Sequence, residues 1–178
     1  MFDPKTLIER GLAALSNRQP EQACDLFAQA VAEARWVNDP AVLAQALMTL
    51  GQTEHSLQHP ATALDSYREA AAVCAQAGDA AGQAEALAET AKVLRAQGKT
   101  NQAEAACEQL LELLQPLPDP PALVRARALR MLALLKEKTA SEDELLLLWH
   151  AAATLYEADE KPERAAECRA HLAFLMGR

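Results

Sequence analysis

Leu47-Met48-Thr49-Leu50-Gly51, followed twelve residues later by Ala63-Leu64-Asp65-Ser66-Tyr67-Arg68-Glu69-Ala70, is the stretch from which the architecture can be read. Apolar residues in it recur at three- and four-residue steps, and Leu43, Leu47, Leu50 and Leu57 continue the same face. That spacing belongs to an amphipathic helix, because i, i+3 and i+4 share one side of a 3.6-residue turn. The small residues Gly51, Ala63 and Ala70 leave room where two such helices cross.

The pattern is repeated on both sides. Forty residues earlier stand Leu7, Arg10 and Gly11, then Ala23, Phe27 and Ala30. Forty residues later stand Leu87, Thr90 and Ala91, then Ala103, Cys107 and Leu110. A fourth copy follows after 42 residues, with Leu129, Leu132 and Ala133, then Leu145, Trp149 and Ala152. The two extra residues fall in the Pro-rich connection Gln115-Pro116-Leu117-Pro118-Asp119-Pro120-Pro121. A fixed period of this length marks stacked helical hairpins, in which no pair can bury its apolar face alone. Phe27, Tyr67 and Trp149 are expected to fill the gaps between neighbouring pairs.

Helix punctuation agrees with the period. Asp3-Pro4, Asp39-Pro40 and Asp119-Pro120 each read as an N-cap followed by Pro at the first helical position, where no N–H is lost. Gly78-Asp79 opens the third repeat, and Pro20 and Pro60 start second helices. Gly98 closes a helix before Thr100 or Asn101 caps the next. Ser141-Glu142-Asp143-Glu144 reads as a capping box. These signals predict first helices at 4–17, 40–57, 80–97 and 121–138, and second helices at 20–37, 60–77, 100–115 and 141–157. A last helix is expected at 162–176. The chain then reads as one domain over 1–178, with repeats at 4–39, 40–79, 80–119 and 120–160.

On these residues the chain resembles the tetratricopeptide (TPR) family, whose hairpins carry Leu-Gly on the first helix and Ala, an aromatic and Ala on the second. Leu47, Leu50 and Gly51 with Ala63, Tyr67 and Ala70 match best. The family repeats about every 34 residues, so the longer period here calls for longer helices and is more similar to kinesin-light-chain-like repeats. Leu47 and Glu54 stand where the family's first helix has Trp and Tyr, and Cys107 stands where an aromatic is expected. The resemblance implies an all-α, right-handed solenoid of four hairpins with a C-terminal capping helix. It also implies a non-enzymatic module that binds a protein or peptide in a concave groove.

Composition points the same way and excludes other classes. Hydrophobic residues make up 51% of the 178, yet aromatics only 4%, so the apolar content is mainly Ala and Leu, strong helix formers. A net charge of −8 argues against nucleic-acid and anionic-membrane partners, which require a basic face. No apolar run reaches the ~20 residues of a membrane span. The start, Met1-Phe2-Asp3-Pro4-Lys5, lacks a secretory pattern. Cys24, Cys74, Cys107 and Cys168 are widely spaced and read as reduced core residues of a cytoplasmic protein.

No nucleophile elbow, P-loop or dinucleotide fingerprint is present, and no cofactor is expected. His55 with His59, and Cys168 with His171, have helix-face spacing for metal ligands, but neither has a second pair nearby, so no metal is expected. The groove implied by the resemblance would carry Lys92, Arg95, Arg127 and Arg130, with Arg125 at its edge. These cations would suit an acidic peptide or a free C-terminal carboxylate. Solvated cations paired with Glu85 and Glu89 are the plainer reading. Ile8, Leu12, Gln45, Met48, Gln52 and His55 would make the opposite end of the groove more apolar. The alternative function is homodimerisation through a terminal or convex surface. The N-terminal end favours it, with Phe2, Leu7 and Leu12 expected to show. Glu163, Arg164, Glu167, Arg169 and Arg178, against Leu172, Phe174 and Leu175, suggest a last helix with one wet and one packed face.

Overall fold

A computed structural model describes residues 2–177, and Met1 and Arg178 lie outside it. Every regular element among the described residues is an α-helix: α1 (Pro4–Ser16), α2 (Pro20–Val37), α3 (Pro40–Ser56), α4 (Pro60–Ala77), α5 (Ala80–Ala96), α6 (Thr100–Leu114), α7 (Ala122–Leu135), α8 (Glu142–Ala158) and α9 (Pro162–Met176). Most ends fall within two residues of those read from the sequence. The exception is α7, which stops at Leu135, where Lys136 caps it and a turn through Thr139 and Ala140 leads to α8.

Two of the three Asp-Pro pairs cap as expected. Asp3 Oδ2 accepts from the Thr6 N–H at 3.1 Å, and Asp39 Oδ1 accepts from the Val42 N–H at 3.1 Å. Asp79 Oδ1 takes the Gly82 N–H at 2.9 Å. Asp119 does not cap, and α7 begins after Pro121 without a side-chain cap. Pro121 disfavours helical backbone at Pro120, so the helix starts too far along for Asp119 to reach its first turn. Thr100 and Asn101 do not cap either; Lys99 precedes α6 without a side-chain bond. Ser141 Oγ accepts from the Glu144 N–H at 3.2 Å, while the Glu144 carboxylate turns to Lys136.

The 40-residue period is written into the backbone between helices. Arg18, Gln58 and Gly98 all have positive φ, at 59°, 63° and 72°. The residue after each bonds back to a carbonyl in the preceding helix: Gln19 N–H to Ala14 O, His59 to Glu54 and Lys99 to Leu94, at 2.8 to 2.9 Å. This left-handed closure satisfies carbonyls that the helix end would otherwise leave open. Asn38 and Gly78 repeat it after the second helices.

The chain divides into two compact units, Met1–Val93 and Leu94–Arg178, with the division inside α5, where the sequence reading took 1–178 as one domain. In the first, α1 packs on α2, α3 on α4, α2 on α3, and α1 touches α3. Its core includes Leu7, Ile8, Phe27, Ala30, Val42, Leu47 and Ala70. In the second, α6 packs on α7, α7 on α8 and α8 on α9 around Ala133, Leu145, Trp149, Ala152 and Cys168. The repeat positions Ala23, Ala63, Ala91 and Ala103 are buried, as are Gly11 and Gly51, while Leu50 is half-buried. Phe27 and Tyr67 lie directly over Gly11 and Gly51 of their own pairs. Trp149 stacks on His171 of α9, ring centroids 4.0 Å apart and planes 3° from parallel. Leu7 is buried rather than showing at the N-terminal end, and Ile8 is buried rather than open to a groove.

Candidate partner-binding surfaces

In the first unit, α3 presents Gln45 and Gln52 to solvent, with Met48 and His55 half-buried beside them. These four positions follow the 3.6-residue turn, so they form one stripe. Leu12 and Leu15 of α1 stand 40 residues before Gln52 and His55, and both are exposed. Lys92 of α5 is exposed but engaged, its Nζ 3.0 Å from Glu89 Oε2. His59 is exposed and adds no side-chain bond at the start of α4. A cleft of about 370 Å³ opens between α2, α3 and α4, lined by Ala34, Arg35, Leu43, Val73, Gln76 and Ala77. Arg35 is held at its rim by both carboxylate oxygens of Glu69, at 2.6 and 2.7 Å.

The second unit holds a cluster of arginines. Arg127 and Arg130 stand one turn apart on α7. Arg127 is exposed, as are Arg95 and Arg125, and no ion pair engages these three among the described residues. Arg130 is only 20% exposed in its side chain, and its Nη2 donates to Glu167 Oε1 on α9 in a short, charged contact. The other oxygen of Glu167 accepts from Arg164 Nη1 at 3.3 Å. Burial pulls the Arg130 guanidinium down, but the bond and charge of Glu167 outweigh it and raise its pKa. Glu167 is lowered from the ordinary carboxylate value, chiefly by its hydrogen bond to Arg130. Tyr156 is buried nearby; burial raises its pKa, while Arg130, Arg164 and Arg127 oppose that shift. Three guanidinium groups thus surround a phenol and share one carboxylate. Sequence spacing brings Arg127 and Arg130 together, but Glu167 is 37 residues from Arg130 and only the packing of the helices shows their pairing.

The cysteines are free thiols. Burial pushes the Cys107 thiol up to about 12 and raises Cys74 and Cys168 as well. No group of three or more His, Cys, Asp or Glu with metal-holding geometry occurs among the described residues. No described helix is long and apolar enough to cross a membrane.

No protein-family model and no curated protein sequence matches the chain. Solved structures do. BtubC (BKLC) from P. vanneervenii superposes with a TM-score of 0.68 at 16% identity, over 94% of this chain and 77% of that one. MamA gives a TM-score of 0.66 at 20% identity, over 89% and 81%. The nearly identical TPR-like repeats of a putative kinesin light chain from Podosopora anserina give 0.56 at 18% identity, over 99% and 97%. The fold is therefore that of TPR-like helical repeats. Identities this low speak to architecture and leave ligand chemistry to the residues of this chain.

Proposed function

We propose that this chain is a non-catalytic interaction module that binds a protein or peptide partner through exposed faces of its first helices. Two surfaces support the reading. The α3 stripe of Gln45, Met48, Gln52 and His55 offers neutral contacts in the first unit. The α7 face of Arg127 and Arg130 offers charged contacts in the second, with Arg95 a further unpaired cation of that unit. The observation that carries the proposal is the unpaired, exposed Arg127 beside Arg130 in a chain of net charge −8. Such an arrangement favours acidic side chains or a terminal carboxylate, which arginine grips through charge-assisted bonds. Arg127→Glu should weaken capture of an acidic peptide at least about tenfold, as reversal of a charge in a binding site costs more than 1.4 kcal/mol. Binding unchanged by that substitution would remove the α7 face from the account.

A second reading is self-association, and a specific observation favours it. Trp36 and Val37 stand 40 residues before Gln76 and Ala77, the residues of α4 that line the cleft against the first pair. On α2 this face has no described neighbour of its kind, and Trp36 is 73% exposed. Phe2 lies close by, its N–H bonded to Glu33 at 3.2 Å, and is 61% exposed. Exposed aromatics in one patch mark protein contact surfaces. Light scattering over a concentration series tests it: a dimer that Trp36→Ala dissociates supports this reading, and a monomer throughout removes it.

A further inference from the structure

The arginine cluster of the second unit carries a feature that simple peptide binding does not require. Glu167 bridges two guanidinium groups, one oxygen on Arg130 and the other on Arg164. Arg127 completes the set without a carboxylate of its own. The cluster therefore holds three positive charges against one negative. Arg130 is also incompletely used. Its Nη2 bonds Glu167, while its Nε–H is shielded from solvent and meets no acceptor. A buried donor without a partner is costly, and a carboxylate seated side-on against a guanidinium takes Nε–H and Nη2–H together. Glu167 makes only half of that contact because its second oxygen is drawn to Arg164.

We propose that Arg127, Arg130 and Arg164 form a carboxylate-binding site that Glu167 occupies in the free protein, as a built-in competitor for a ligand carboxylate. This rests on the peptide-binding reading above and adds a regulatory element to it. The Glu167 side chain is about a third exposed, so it can turn to solvent without unpacking α9, whose buried anchors are Ala165 and Cys168. The incoming carboxylate then replaces it on Arg130 and meets Arg127 and Arg164 as well. Glu167 sets a threshold: weakly acidic segments fail to displace it, and segments with several carboxylates succeed.

Fluorescence anisotropy with two labelled octapeptides tests this. One alternates Glu and Ala and has an amidated C-terminus; the other is all Ala with a free C-terminal carboxylate. The difference between them tells side-chain from terminal carboxylate recognition. Glu167→Gln removes the competitor while keeping its shape, and the expected result is binding about tenfold tighter than wild type to at least one peptide. Glu112→Gln, an equal change of charge on exposed α6, should leave affinity within about twofold, since an exposed charge away from the site is screened. Equal or weaker binding by Glu167→Gln, with wild type still binding, overturns the competitor and leaves the peptide-binding reading standing. Binding by neither protein to either peptide overturns both. If Glu167→Gln does not fold, the Arg130 Nε–H resonance of the wild type decides: it should shift saturably with the bound peptide. A resonance unmoved at saturation overturns the proposal.

Discussion

Tyr67 lies against Gly51 so closely that a β-carbon at position 51 would stand 2.8 Å from Tyr67 Cε1. The ring of the second helix thus occupies the space that the missing side chain of the first leaves open, and Phe27 does the same over Gly11. Any side chain at residue 51 must push a fully buried aromatic ring off its seat. Gly51→Leu should destabilise the protein by about 1–3 kcal/mol through overpacking. Gly51→Ala acts in the same direction, offset in part by the better helix propensity of Ala. Thermal unfolding measures both, and an unchanged midpoint for Gly51→Leu contradicts the packing.

The same ring carries an unsatisfied group. The Tyr67 hydroxyl is buried without a hydrogen-bond partner. Burial raises its pKa, and the charges of Glu89 and Glu54 add to the rise. Because an unpaired buried hydroxyl costs about 1–3 kcal/mol, Tyr67→Phe should leave stability unchanged or raise it by about 1 kcal/mol. Chemical denaturation reads the difference; a loss of more than about 1 kcal/mol would show that the hydroxyl is bonded.

Gln58 and Gly98 occupy the same backbone conformation in successive repeats, with φ of 63° and 72°. Glycine adopts it freely and other residues pay a steric cost. Gln58→Gly is expected to stabilise by up to about 1 kcal/mol, and Gly98→Ala to destabilise by about 1 kcal/mol. Opposite signs at equivalent positions are the signature to look for in paired melting curves.

The Arg130–Glu167 pair gives stability a dependence on acid. The folded pKa of Glu167 lies below its model value of 4.5. A depressed carboxylate contributes stability that is fully present above the unfolded value and is lost as pH falls through the folded one. Hydrogen exchange of α9 amides, with intrinsic rates corrected for pH, should show lost protection below about pH 4.5. In Glu167→Gln this acid dependence should shrink.

Much of this architecture was legible because hairpin stacking demands small residues at fixed intervals, and Gly11, Gly51, Ala91 and Ala133 display them at one period and one offset. Helix starts at Pro4, Pro20, Pro40, Pro60 and Pro162 were equally open to reading, since proline tolerates the first turn and little else in a helix. The α7 start was not, because Asp119-Pro120 looks like a cap until Pro121 is considered. The site was half legible. Arg127 and Arg130 share a face by spacing alone. Glu167, Arg164 and the Trp149–His171 stack are brought in by packing between helices, which local pattern cannot convey. Lys92 likewise counts as a free cation until its bond to Glu89 is seen.

The central claim is that the α7 face of the second unit receives an acidic peptide. Backbone amide shifts of the labelled protein, followed while the Glu-Ala octapeptide is added, test it most directly. The account predicts saturable shifts concentrated around Arg127 and Arg130 on α7 and around Arg164 and Glu167 on α9. Shifts that do not saturate, or that gather elsewhere on the molecule, would contradict it.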